Sequence, residues 1–221
     1  YYTGNPIQNQ SMFYGREQEL ALLREDFVHS SANTVVVLYG QRRSGKSSLL
    51  YKLIQMPILD PHIPIRIDMQ HETLNFSTSR FLRKIAYYIY RELSKRGCSI
   101  RPPDPTTFDY DATFALDLFL DEVEVVLGMR KLVILIDEFE ILEEKVIKGE
   151  LDRDIFVYLR SLMQHRRGIH FLLAGTHTIK DLITEYWSVF FNIAIHRRLS
   201  KLTPDAAREL ITRPIEGVLE Y

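Results

Sequence analysis

Residues 34–48, Thr34-Val-Val-Val-Leu-Tyr39-Gly40-Gln-Arg-Arg-Ser-Gly45-Lys46-Ser47-Ser48, decide the fold. Thr34 to Tyr39 is an unbroken, mostly β-branched run, the pattern of a strand buried on both faces. It stops at Gly40, and a helix is expected from about Gly45 (KSSLLYKLI). The turn between them fits G-x-x-x-x-G-K-[ST], a pattern that average residue usage would produce by chance roughly once in a hundred chains of this length. Such a loop wraps a phosphate in inward-pointing backbone N–H groups, and its glycines permit that path. The helix that follows adds its positive N-terminal end. Lys46 supplies a charge for the β- and γ-phosphates, and the Ser47 hydroxyl is a hard oxygen ligand for Mg²⁺. Gly40, Gln41, Arg42, Arg43, Ser44, Gly45, Lys46, Ser47 and Ser48 are therefore the expected nucleotide-binding set. Arg42 and Arg43 lie inside the loop without being required by it, so solvated side chains stand beside phosphate contact as readings.

A second segment gains meaning from the first. Leu132-Val-Ile-Leu-Ile136 is followed by Asp137-Glu138. A buried strand does not tolerate charge in its interior, so these carboxylates belong at its C-terminal end, where open α/β sheets bind ligands. Asp137 is expected to share Mg²⁺ with Ser47, and Glu138 to align and polarise an attacking water. Phosphoryl transfer asks mainly for positioning and charge neutralisation, which these two and Lys46 supply. Glu140, Glu143 and Glu144 read as a solvated acidic surface.

Outward from these segments, strands alternate with helices. Helices are expected at 16–29, 76–96, 112–127 and 152–166, and strands at Ile65–Met69, Lys131–Asp137, Ile169–Ala174 and Ile193–His196. Pro57, Pro61 and Pro64 punctuate a loop, and the Arg101-Pro-Pro-Asp-Pro105 stretch breaks the chain. Thr203-Pro204-Asp205 opens a last helix, with Thr as cap and Pro in the first turn. The expected architecture is an α/β three-layer sandwich around a mostly parallel, five-stranded sheet. Residues 1–14 read as a lead-in segment, 15–200 as one domain and 201–221 as the beginning of a helical lid.

The 221 residues carry a formal net charge of −1 and are 46% hydrophobic and 26% charged, an ordinary soluble composition with no global field for nucleic acid or an anionic membrane. The pairs Arg42-Arg43, Arg166-Arg167 and Arg197-Arg198 read first as solvated surface. A single cysteine, Cys98, excludes an intrachain disulfide and fits a cytoplasmic setting. No apolar run is long enough to span a bilayer, and no signal peptide is evident. A start without Met reads as a piece of a longer chain. The histidines have no metal-ligand spacing. Tyr87, Tyr88 and Tyr90 lie in a helix with Arg83, Lys84 and Arg91, which reads as a packed aromatic side rather than a stacking platform for single strands.

Phe13-Tyr14-Gly15-Arg16-Glu17-Gln-Glu19 has the form h-h-G-R-E-x-E. With the phosphate loop and the Asp-Glu strand end, the chain resembles the signal-transduction ATPases with numerous domains (STAND), relatives of AAA+ ATPases in the additional-strand, catalytic-Glu class of P-loop proteins. Asp137-Glu-Phe-Glu140 and the segment Tyr186 to Asn192 look like those of prokaryotic members. The resemblance implies ATP or ADP as ligand with Mg²⁺. It places Tyr14, Gly15 and Arg16 against adenine and ribose, Thr176 at the γ-phosphate, Arg197 or Arg198 just after the fifth strand as an arginine finger or sensor, and Pro214 at the base. Two departures stand out: Thr176 is followed by His177 where an Arg is common, and Thr212-Arg213-Pro214 replaces the usual Gly-x-Pro. The implied activity is slow ATP hydrolysis in a nucleotide-dependent switch. Its partners would be effector and sensor domains of a parent chain, with self-association in an activated state, no membrane, and no direct nucleic-acid binding by this segment. The alternative is an AAA-type working machine, such as a DNA initiator or loader. A small-molecule kinase is disfavoured by Glu138, which suits water activation, and a binding module without chemistry by the full catalytic set.

Overall fold

A computed structural model describes residues 13–30, 32–71, 76–176 and 193–213. Its elements in chain order are α1 (Glu17–Val28), β1 (Val35–Tyr39), α2 (Lys46–Gln55), β2 (Ile63–Asp68), α3 (Thr78–Lys95), α4 (Pro105–Tyr110), α5 (Ala112–Leu127), β3 (Leu132–Asp137), α6 (Ile141–Ile147), α7 (Ile155–His165), β4 (Ile169–Gly175), β5 (Ala194–Arg198) and α8 (Pro204–Thr212). The strands form one five-stranded sheet in the order β2-β3-β4-β1-β5. Every pairing is parallel, so "mostly parallel" understated it. Strand β4 lies between β1 and β3, the additional strand of the expected class.

The strands alternate between two cores, as a pleat requires. Val35 and Val37, Leu132, Ile134 and Ile136, and Ile169, Phe171 and Leu173 face one core, shared with α3, α5 and α7. Val36 and Leu38, Val133 and Leu135, and Leu172 and Ala174 face the other, shared with Leu23 and Phe27 of α1 and Leu49, Leu50 and Leu53 of α2. Helices thus cover both faces, which is why the strands read as continuous apolar runs.

Several expectations need correction. Pro64 is not in a loop but inside β2, paired in register with Val133. Strand β2 is the sheet edge, where a proline's missing N–H faces no second neighbour. The stretch after Arg101 does not only break the chain: Asp104 accepts a hydrogen bond from Thr106 N–H, and Pro105 opens the short helix α4. Helix α6 was not anticipated. Strand β5 runs on to Arg198, so Arg197 and Arg198 are its last residues rather than the loop after it. Thr203 caps α8 as expected, accepting from Ala206 N–H.

Candidate nucleotide-binding site

The strand register brings the motifs to one edge. Leu38 and Asp137 both pair with Ala174, so they lie level on either side of β4, about 10 Å apart across two strand spacings. Gly40 follows β1 and donates its N–H to Gly175 O at 3.2 Å. A Cβ on Gly40 would stand 2.5 Å from Leu199 O, so no other residue fits. The loop turns through Arg43 and Gly45, both with positive φ, 63° and 94°. Gly45 is the N-cap of α2 and carries no side chain to satisfy the first amides of that helix. Uncapped amides at a helix start are an anion site.

Lys46 is buried at the loop, where its Nζ donates to Gly40 O at 2.8 Å and Gln41 O at 3.0 Å. Burial lowers its pKa, and the carboxylates of Glu140, Asp137 and Glu138 oppose that shift. Gln41, Arg42 and Arg43 are exposed, Ser44 and Ser47 half-buried, and Ser48 buried.

Asp137 ends β3 at 2% exposure. Its Oδ2 accepts from Arg66 Nη2 at 2.7 Å, while Oδ1 is buried without a hydrogen-bond partner. Arg66, on β2, also bonds Asp68 at 2.8 Å and Tyr51 Oη at 3.1 Å, and lies over the Tyr51 ring. Among the described residues no group of three or more His, Cys, Asp or Glu side chains could cage a metal. Mg²⁺ in phosphate sites uses one or two protein oxygens and completes its shell with phosphate and water. The free Oδ1 of Asp137 and the Ser47 hydroxyl suit that role.

Glu138 follows in a left-handed conformation, φ 54°, which costs a non-glycine residue energy and is concentrated at functional sites. Burial raises its pKa, the Gln70 side chain opposes this, and Glu140 and Asp137 add to it. The acidic surface expected just beyond is only partly there. Glu144 is exposed, but Glu143 is buried and Glu140 turns back into the site, where its Oε1 accepts from Thr176 N–H at 2.9 Å and Oγ1–H at 2.7 Å.

The Gly15-Arg16 turn, expected against adenine and ribose, packs between the phosphate loop and α8. Arg16 is buried; its Nη2 donates to Ser44 O at 3.0 Å and Ser200 O at 2.6 Å, and its Nη1 pairs with Glu19 at 2.7 Å. Gly15 is pressed against α8, where a Cβ would meet Ala206 Cβ at 2.8 Å. Tyr14 is half-buried, with the Arg213 guanidinium 5.9 Å from its ring centre. Arg197 is not a free finger: its Nε and Nη2 grip Asp26 of α1 at 3.0 and 2.7 Å. Arg198 is exposed beside Tyr39, its register partner. Pro214 and Tyr186 to Asn192 lie outside the described residues.

Sequence reading missed Arg66 and Glu140. Arg66 and Asp68, alternating with Ile65 and Ile67, were a visible sign of a charged face at a strand end. The Glu140–Thr176 contact spans 36 positions and left only Gly175, a glycine beside the motif, as a trace.

The family described as AAA domain matches residues 29–183, which include the phosphate loop and Asp137-Glu138. Among solved structures, the Walker-type ATPase PABY2304 of Pyrococcus abyssi superposes with a TM-score of 0.71 at 17% identity, over 99% of this chain and 63% of that one. Cdc6p from Pyrobaculum aerophilum gives 0.58 at 15%, over 100% and 53%. Domain III of the Thermotoga maritima replication initiation protein DnaA gives 0.51 at 15%, over 96% and 75%. At these identities the likeness is one of fold, and the chain spans under two thirds of the length of the first two. No curated protein matches the sequence.

Proposed function

Because the chain belongs to the AAA domain family of P-loop ATPases, we propose that it binds and hydrolyses ATP with Mg²⁺ and acts as a nucleotide-dependent switch of the STAND type within a larger multidomain protein. The carrying observation is Arg16. One guanidinium bonds a carbonyl of the phosphate loop and a carbonyl of the segment leading into α8. Whatever shifts the loop on binding phosphate pulls on that segment, and residues 201–221 are read as the beginning of a lid. A ligand biases such an equilibrium by its differential affinity for the two arrangements.

The roles follow from position. The loop amides, the start of α2 and Lys46 hold the phosphates. Ser47 and Asp137 Oδ1 would hold Mg²⁺, which would supply neutralisation of the charge developing on the phosphate oxygens. Glu138 orients the attacking water and takes its proton. Thr176 reads the γ-phosphate, Arg198 is the remaining candidate for a finger acting between subunits, and Tyr14 and Pro214 flank the base. ATP or ADP is the ligand, self-association accompanies activation, and effector and sensor domains are the partners. Among the described residues no helix is long and apolar enough to cross a membrane.

A second reading is an AAA-type working ATPase of the replication-initiator kind. Similar folds include those of Cdc6p, domain III of DnaA, and Drosophila ORC bound to AT-rich DNA and Cdc6. Hydrogen exchange of residues 199–213 with ATP, with ADP and with duplex DNA separates the two. Protection that differs between ATP and ADP, and that Arg16→Ala abolishes while ADP still binds, is expected of the switch. Indifference to nucleotide in the wild type would sink it, and turnover stimulated by DNA would favour the initiator.

A further inference from the structure

Gly175 ends β4, and its missing side chain leaves room for two neighbours. A Cβ there would stand 2.3 Å from Glu140 Oε2 and 2.5 Å from Phe139 Cε1. The Glu140 carboxylate therefore lies over the end of β4, between the phosphate-loop strand and the Asp137 strand. Its Oε1 takes both donors of Thr176, the backbone N–H and the hydroxyl. Its Oε2 is buried with no hydrogen-bond partner. The turn that delivers it is fixed from both sides: Glu138 holds a left-handed backbone, and Phe139, fully buried, donates its N–H to Ala174 O at 3.2 Å.

We infer that Glu140 is a positioning residue for hydrolysis: it holds Thr176, by backbone and hydroxyl together, at the strand end that separates the phosphate loop from Asp137 and Glu138. The inference rests on the ATPase reading above. A threonine hydroxyl has one proton. While Thr176 donates it to Glu140, it has none for a phosphate oxygen. Thr176 consequently serves the site by where Glu140 holds it, and a γ-phosphate that claims the hydroxyl must do so in exchange with Glu140. Small misplacements at such a position are costly, about 10²-fold in rate for about 1 Å.

Single-turnover ATP hydrolysis and Mg·ADP affinity, measured on the wild type, Glu140→Ala, Glu140→Gln, Thr176→Val and the Glu140→Ala/Thr176→Val double variant, test this. Glu140→Ala should slow turnover by about 10²-fold and leave ADP affinity within a few-fold. Glu140→Gln keeps an acceptor for both Thr176 donors and should recover most of the loss. The double variant should be no slower than the slower single, because the two residues act as one unit. Turnover of Glu140→Ala near that of the wild type, equal loss in Gln and Ala, or losses that multiply in the double variant would overturn the inference. If Glu140→Ala fails to fold, Thr176→Val and Glu140→Gln still carry the comparison: a slow Thr176→Val with a near-normal Glu140→Gln supports it, and the reverse pattern refutes it. A wild type that binds ATP without turning it over defeats the hydrolytic reading alone. The pair is then read from the ratio of ATP to ADP affinity, which Thr176→Val should change and Glu140→Gln should not.

Discussion

At the C-terminal ends of β1 and β3 the chain buries Lys46 and Asp137; at the N-terminal ends of the strands it buries His62 and His170. The first pair are charges, surrounded by Arg66, Glu138 and Glu140, with Asp137 Oδ1 and Glu140 Oε2 left unpartnered. The second are neutral. His170 Nδ1 accepts from Thr34 N–H at 2.9 Å and His62 Nδ1 accepts from Lys131 N–H at 3.1 Å, so neither nitrogen carries a proton. Their rings stand 5.4 Å apart, and Phe27 is 5.5 Å from His170. Burial alone does not distinguish a working end from a structural one. What does is retained charge with unused acceptors, facing a loop of uncapped amides. A cavity of about 670 Å³ near the N-terminal edge, lined by Asn33, Met163, Arg167 and Ile193, also has a charge and an unpartnered acceptor, Asn33 Oδ1, but it is bordered by the last turn of α7 rather than by a helix start.

The contrast is broken most completely by removing the charge at the loop. Lys46→Ala should abolish tight ATP and ADP binding, with the thermal unfolding of the ligand-free protein little changed; isothermal titration that finds unaltered ATP affinity would refute the phosphate-loop assignment. Glu138→Gln should come next. Loss of a general base lowers turnover by about 10²–10⁴-fold, while nucleotide affinity stays near that of the wild type. Retained turnover would remove Glu138 from the mechanism.

Arg66 sharpens the comparison through stability instead of catalysis. Its partner Asp137 is 2% exposed, and deleting one member of a buried ion pair strands the other, at roughly 3–5 kcal/mol. Arg66→Leu should lower the denaturant midpoint accordingly. Added Mg²⁺ with ADP should recover part of it, because a cation at Asp137 supplies the charge that Arg66 no longer does. A variant as stable as the wild type would mean that Asp137 is not held as a carboxylate by this pair.

The working end was the more legible in sequence, for a physical reason. Thr34 to Ser48 and Leu132 to Glu138 are contiguous, and each carries a local pattern whose chemistry is nearly complete. The strands showed because helices bury both their faces; the cap at Thr203 showed through residue type, whereas Asp104-Pro105 was read as part of a break when it opens a helix. Arg66, Glu140 and the Arg16 tie were hidden because each matters only through a partner far along the chain: 71, 36 and 184 positions away. Arg197 shows the same limit. The family resemblance suggested a finger there, and only the fold reveals Asp26 beside it.

The histidine end gives the smallest and most specific effect. Burial first, then the charge of Lys131, pushes the His170 pKa down to about 3 from an ordinary 6.5. Above about pH 6.5 the ring is neutral in both folded and unfolded chains and contributes no pH dependence. Below it the unfolded chain takes up a proton that the native chain refuses, so stability falls with pH at up to about 1.4 kcal/mol per unit, down to the native pKa. His62, lowered by burial and by Lys131 as well, adds to the same trend. His170→Asn keeps an acceptor for Thr34 N–H but cannot titrate. It should cost little at pH 8 and flatten the decline between pH 6.5 and 4 in urea unfolding. An unchanged acid slope would show that the proton is taken up elsewhere. Because the phosphate loop lies at the other edge of the sheet, ADP affinity at pH 8 should be untouched by the same substitution, and a change there would mean that the two ends communicate.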